Sequence, residues 1–159
     1  MKFVYKRIYS LSMERSTGQF FNEILGNRTR VAKELTNIHD LAWEVTNKEI
    51  LGLCKLRIAM ILGCDSEVDA ANQHLNSAKL TDLSQWPTSH QFNDLEKSCL
   101  RFTEEFIIDV ARIPDESAFA VQGHLGDGGF VNFVNALLVI EQRIRLLIVW
   151  RKLFEEVHV

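Results

Sequence analysis

The chain has 159 residues and a mass of 18.3 kDa, the size of one domain, and its 47% apolar and 25% charged residues with only 2 prolines exclude a disordered, collagen-like or low-complexity protein. Its 18 Lys and Arg stand against 21 Asp and Glu, for a formal charge of −3. No basic excess is left to release counterions from a phosphate backbone, so nucleic acid is not an expected partner.

The start, Met1-Lys2-Phe3-Val4-Tyr5-Lys6-Arg7, is basic, but Ser10, Ser12, Glu14 and Arg15 interrupt any apolar run of secretory length. No export signal is expected, and residues 1–18 are read as an arm ahead of a single helical domain over residues 19–159. The first helical pattern runs from Phe20 to Leu35 with a break at Gly26-Asn27, followed by Leu41, Ala42 and Trp43. Thr46-Asn47-Lys48-Glu49 has the form of a capping box, in which each side chain satisfies a free backbone N–H. It predicts a helix to Leu62 whose apolar positions leave only a thin polar stripe with Lys48 and Lys55, so the helix is covered on most sides. After Gly63 a second helix is expected from about Ser66 to Ala78, with Glu67 and Asp69 in its first turn.

Asn93-Asp94-Leu95-Glu96 is another N-cap signature, and Leu95, Cys99, Phe102, Phe106 and Val110 continue it at helical spacing until Pro114 stops it. Asp115-Glu116-Ser117 opens a short helix to Leu125. Gly126-Asp127-Gly128-Gly129 then separates it from a long final helix, with Asp127 as a cap. No segment alternates with the period of a strand, so the expected class is all-α. The final helix is apolar on all sides in a domain too small to surround it. Part of its surface is expected to meet another subunit, the alternative being the central helix of a monomer.

Between Phe130 and Val149, Glu141, Gln142, Arg143 and Arg145 put too much charge in the longest apolar region for a membrane span. Cys54, Cys64 and Cys99 are too few, and odd in number, for a secreted disulfide scaffold, which points to a reducing cytoplasm. His39 and His124 lack a second ligand at metal spacing, and Gly126-Asp127-Gly128-Gly129 follows a helix without the Lys-Ser/Thr of a phosphate loop. Neither a metal nor a cofactor is expected.

Four segments resemble the carboxymuconolactone decarboxylase and alkylhydroperoxidase D (AhpD-like) family. Glu49 to Gly63 is similar to its helix ending in L-R-x-A, with Cys64-Asp65-Ser66-Glu67 where the family has C-x-x-C or x-Y-E-W. Ala78-Lys79-Leu80 resembles the closing A-G-L. Trp86-Pro87-Thr88, Phe92 to Lys97 and Leu100 to Glu105 resemble the linker and its E-x-x-x-L-x-F-x-E-E helix. Leu137 to Arg145 resembles the helix that ends in the family arginine. The likeness spans roughly residues 30–150. It implies an AhpD-like helical bundle assembled as a trimer or hexamer, with a small-molecule site beside the cysteine.

By the same resemblance, Cys64 matches the first motif cysteine, at a helix start whose dipole favours a thiolate, although Asp65, Glu67 and Asp69 oppose one. It is read either as a nucleophile or as a structural thiol. Glu67 replaces the second cysteine, so no disulfide closes across the motif, and Glu67 is either an acid–base group or a first-turn carboxylate. The family histidine falls on Ala71 and the family glutamate on Gly52. His74, seven residues beyond Glu67, is then either a substrate ligand or a solvent-facing side chain. Arg57 and Arg145 match family arginines and are read as clamps for an anionic substrate or as partners of Glu49, Glu141 or another subunit. The functional expectation is a degenerate redox site doing acid–base chemistry on a small organic acid or lactone through Cys64 and Glu67. The alternatives are a one-cysteine, thiol-dependent peroxidase using Cys64, and a non-catalytic oligomeric binding protein.

Overall fold

In a computed structural model that describes residues 29–71 and 77–155, helix α1 spans Thr29–Val45, α2 Lys48–Leu62, α3 Asp65–Ala71 and α4 Ser77–Asp82. A 3-10 turn at Leu83–Gln85 leads to α5, Asp94–Asp109, and another at Val110–Arg112 leads to α6, Asp115–Glu155. The described residues contain no strand, as the absence of period-2 patterning implied. The expected arm over residues 1–18 and the helical pattern before Thr29 lie outside the described residues.

Helix α2 is central because its sequence is apolar nearly all round. Ile50, Leu51, Leu53, Cys54, Leu56, Ile58 and Ala59 are all buried, and the helix packs against both α5 and α6. Phe102 of α5 lies edge-on to Phe130 of α6 at 5.5 Å and near Phe133 at 6.1 Å, which locks the third pairing of that core. Helix α1 packs chiefly on α6, and α3 on α2.

Several local expectations are corrected. The cap of α2 is Asn47, not Thr46, since the Asn47 Oδ1 accepts from the N–H groups of Glu49 and Ile50 at 3.0 and 3.1 Å. With the helix starting at Lys48, Glu49 is one position too early to reach back, and it pairs with Lys79 instead. The helix expected over 66–78 starts at Asp65 and is described as α3 and α4. The expected glycine-rich separator shrinks to Gly126, whose φ of 69° and ψ of 171° bend α6 into arms 115–125 and 127–155. Asp127 does not cap; it accepts from the Gln122 side chain across the bend. The capping box Asn93–Glu96 forms as the sequence predicts.

The turn that positions the motif cysteine is a Schellman motif. Gly63, at φ 68°, donates to the Met60 carbonyl and Cys64 N–H to the Ala59 carbonyl at 2.8 Å. Cys64 therefore leaves the end of α2 directly into the start of α3, where its carbonyl accepts from Glu67 N–H at 3.0 Å and Val68 N–H at 3.3 Å.

Candidate functional site

The turn from α2 to α3 buries both motif residues. Cys64 is 3% exposed, with Sγ 3.6 Å from Ser66 Oγ, and Glu67 is 2% exposed. Lys55, on the thin polar stripe of α2, brings its ammonium to 2.5 Å from Glu67 Oε2. The contact is an ion pair, and Oε2 meets no other donor among the described residues. A buried carboxylate held in this way has its charge compensated and its hydrogen-bonding capacity incompletely used.

A second cation, on α6, feels the charge of the same carboxylate. Burial pulls the pKa of the Arg143 guanidinium down, and the charges of Glu67 and then Asp40 hold it up, which places Arg143 in the field of Glu67. From α1, Trp43 Nε1 donates to His39 Nε2 at 3.0 Å. An indole N–H can only donate, so Nε2 is the accepting nitrogen of a neutral imidazole and the ring proton sits on Nδ1, 3.5 Å from Asp40 Oδ1. Burial first, then Arg143 and, more weakly, Lys55 push the His39 pKa below its usual range, against Asp40. Four helices thus contribute to one electrostatically linked cluster: His39, bonded by Trp43, from α1, Lys55 from α2, Glu67 from α3 and Arg143 from α6.

The two arginines singled out from the sequence point elsewhere. Arg57 follows Lys55 by two residues, about 200° around the helix, and its Nε donates at 2.6 Å to Glu104 Oε1, which also accepts from Trp86 Nε1 at 2.6 Å. This ties the linker tryptophan to α2 and α5. Arg145 follows Arg143 by the same step and pairs with Glu141 at 2.8 Å on the exposed side of α6. Cys64 and Glu67 are therefore brought together, Arg57 and Arg145 are engaged with other carboxylates, and His74 lies outside the described residues. Sequence reasoning missed His39, Lys55 and Arg143. The available signal was Lys55 itself, a cation in the middle of a mostly buried helix.

Cys54 and Cys99 are fully buried. Burial drives both thiols up, Cys99 to about 12, so neither is poised to form a thiolate that would attack a neighbouring sulfur. No group of three or more His, Cys, Asp or Glu among the described residues is arranged to hold a metal ion. No described helix is long and apolar enough to cross a membrane. A groove of about 560 Å³ between α5 and the start of α6, lined by Lys97, Arg101, Glu105 and Ser117 among others, shares no residue with the Glu67 cluster.

No protein-family model matches the chain, and no curated protein matches it. Among solved structures it is similar to a protein of unknown function from Agrobacterium tumefaciens, described as a candidate antioxidant defence protein AhpD. The TM-score is 0.68 at 19% identity, over 77% of this chain and 88% of that one. The fold is accordingly an AhpD-like all-α bundle. At this identity the likeness carries the fold and leaves the chemistry to the residues.

Proposed function

We propose that the protein is a member of the AhpD-like family that handles a small organic acid or lactone acid by acid–base chemistry at Glu67, without the family's two-cysteine redox cycle. The observation that carries this reading is a carboxylate 2% exposed, three residues after the motif cysteine, paired with Lys55 of α2 and within the electrostatic reach of Arg143 of α6. Lys55 and Arg143 hold the substrate carboxylate, a role the sequence suggested for Arg57 and Arg145. As the anion takes the Lys55 ammonium, Glu67 is released to take up or deliver a proton at the substrate carbon or lactone oxygen. Lys55 is about a third exposed, which supports entry from its side.

Comparison of wild type with Glu67→Gln and Cys64→Ser over a panel of lactone acids and hydroperoxides tests this reading. Loss of lactone-acid turnover by roughly a hundredfold or more in Glu67→Gln, with Cys64→Ser active, is expected. Unchanged turnover in Glu67→Gln overturns it.

A second reading, a one-cysteine peroxidase, draws on the Ser66 hydroxyl beside Cys64 and the carboxyl group one turn on. There the Cys64 thiolate attacks a hydroperoxide, an S–O bond forms as the O–O bond breaks, and the alkoxide leaves with a proton from Glu67. Because Cys54 and Cys99 are buried with raised pKa values, an external thiol must reduce the sulfenate. In that case Cys64→Ser, not Glu67→Gln alone, abolishes hydroperoxide consumption.

A homo-oligomer, trimeric or hexameric, in the cytoplasm completes the proposal. Val131, Leu138, Val149 and Leu153 are exposed along one stripe of α6, the arrangement expected of a helix awaiting a second copy. Sedimentation equilibrium checks the subunit count.

A further inference from the structure

We propose that the hydrogen bond between His39 and Trp43 is a proton-operated latch on the Lys55, Glu67 and Arg143 cluster, one that opens on acidification and strengthens the site's hold on small anions. The idea rests on the functional reading of that cluster. It starts from a constraint of chemistry, not of fold. Trp43 Nε1 donates at 3.0 Å to His39 Nε2, and an indole offers no acceptor in return. Once Nε2 gains a proton, two N–H groups face each other and the bond cannot persist.

The surroundings decide what the proton does next. On its own helix His39 faces Asp40, with 3.5 Å between Nδ1 and Oδ1, but the Asp40 side chain is 73% exposed and its charge is well screened. From α2 it meets the charge of Lys55 and from α6 that of Arg143; Lys55 is paired with Glu67 of α3, whose charge also reaches Arg143. Protonation therefore adds a third positive charge to a cluster with a single buried carboxylate. Two responses relieve it: Trp43 turns away from the imidazolium, or an anion enters. The two are coupled, since an anion that neutralises the imidazolium makes protonation easier, and by linkage protonation makes the anion bind more tightly. Trp43 is packed against the hydrophobic core, so its release is felt by α1 as a whole.

The latch has a variant that holds it shut. The carbonyl of Gln at position 39 accepts from the Trp43 indole as the imidazole does, yet carries no titrating proton. His39→Gln therefore separates the proton from the bond, and Trp43→Phe removes the bond and identifies the Trp43 indole resonance among those of Trp86 and Trp150. The experiment follows that indole N–H by NMR from about pH 7.5 to about pH 5. In parallel it titrates the protein with trifluoroacetate, a monoanion whose charge is constant over this range, read by its fluorine signal.

In wild type the indole resonance moves and its solvent exchange quickens as the pH falls. Trifluoroacetate binds about fivefold more tightly at the acid end. In His39→Gln the resonance stays put and the affinity is independent of pH. An indole signal that does not move in wild type, or a pH dependence that survives in His39→Gln, overturns the latch. An indole that titrates in wild type without any anion binding upholds the proton-operated bond, overturns its coupling to anions and removes the small-anion reading of the cluster.

Discussion

Two glutamates occupy the same register in this fold and have opposite circumstances. Glu96 stands three residues after Asn93 at the start of α5, and Glu67 three residues after Cys64 at the start of α3; they are 4% and 2% exposed. Around Glu96 the hydrogen bonding closes: Oε2 accepts from the Asn93 N–H at 3.0 Å, Oε1 from Lys79 at 2.5 Å, and the Asn93 Oδ1 accepts in turn from the Glu96 N–H at 2.9 Å. Lys79 is itself held by Glu49 at 2.8 Å, and the two carboxylates, Glu49 first, raise its pKa. Around Glu67 no such ring of hydrogen bonds forms among the described residues. A thiol replaces the capping amide, and the cation at Oε2, Lys55, is an ion-pair partner with no second donor beside it among the described residues. Burial is equal in the two places, so burial does not set the candidate acid–base carboxylate apart from the structural one. Satisfaction does.

The contrast is broken most severely at Glu96. Glu96→Ala removes half the capping box and leaves Lys79 without its buried partner, and a loss of about 3 kcal/mol is expected in urea unfolding. Glu67→Ala, at an equally buried position, removes no capping bond and leaves a lysine that can turn to water and an arginine that keeps the charge of Asp40 nearby, so a smaller loss, about 1 kcal/mol, is expected. Equal losses at the two sites would mean that Glu67 is a structural residue after all. A smaller effect sharpens the comparison through pH. The folded-state pKa of His39 lies below the ordinary 6.5, so the unfolded chain takes up that proton first. The stability that His39 contributes is whole above pH 6.5 and is lost as pH falls through the lower folded value. Unfolding curves of wild type and His39→Gln should differ in pH dependence only below that point, and parallel curves throughout the acid range would refute the placement of His39 among cations.

The fold was largely legible because caps and periodicity act within a few residues. Asn93-x-x-Glu96 forms its box as read, and the apolar run from Ile50 to Leu62 becomes the central helix. Misreadings came where two local signals competed. Thr46 and Asn47 both suit an N-cap, and the amide that reaches two N–H groups takes it. Gly126 alone makes the bend for which four residues seemed needed. The site was only half legible. Cys64 and Glu67 share one turn, so spacing finds them. Lys55, Arg143 and His39 come from three other helices, and their meeting depends on packing that no spacing encodes. The arginines chosen from the sequence each sit two residues beyond the cation that reaches Glu67, a small displacement along the chain and more than half a turn around the helix.

That rotational difference offers the most direct test of the central claim, that Glu67 and its cations form an anion-recognising site. Trifluoroacetate titrations of Lys55→Met and Arg57→Met, compared with wild type, ask which face of α2 holds the ligand. The account predicts that Lys55→Met weakens binding by tenfold or more, whereas Arg57→Met lowers stability and leaves the affinity within about twofold. Full affinity in Lys55→Met would contradict it.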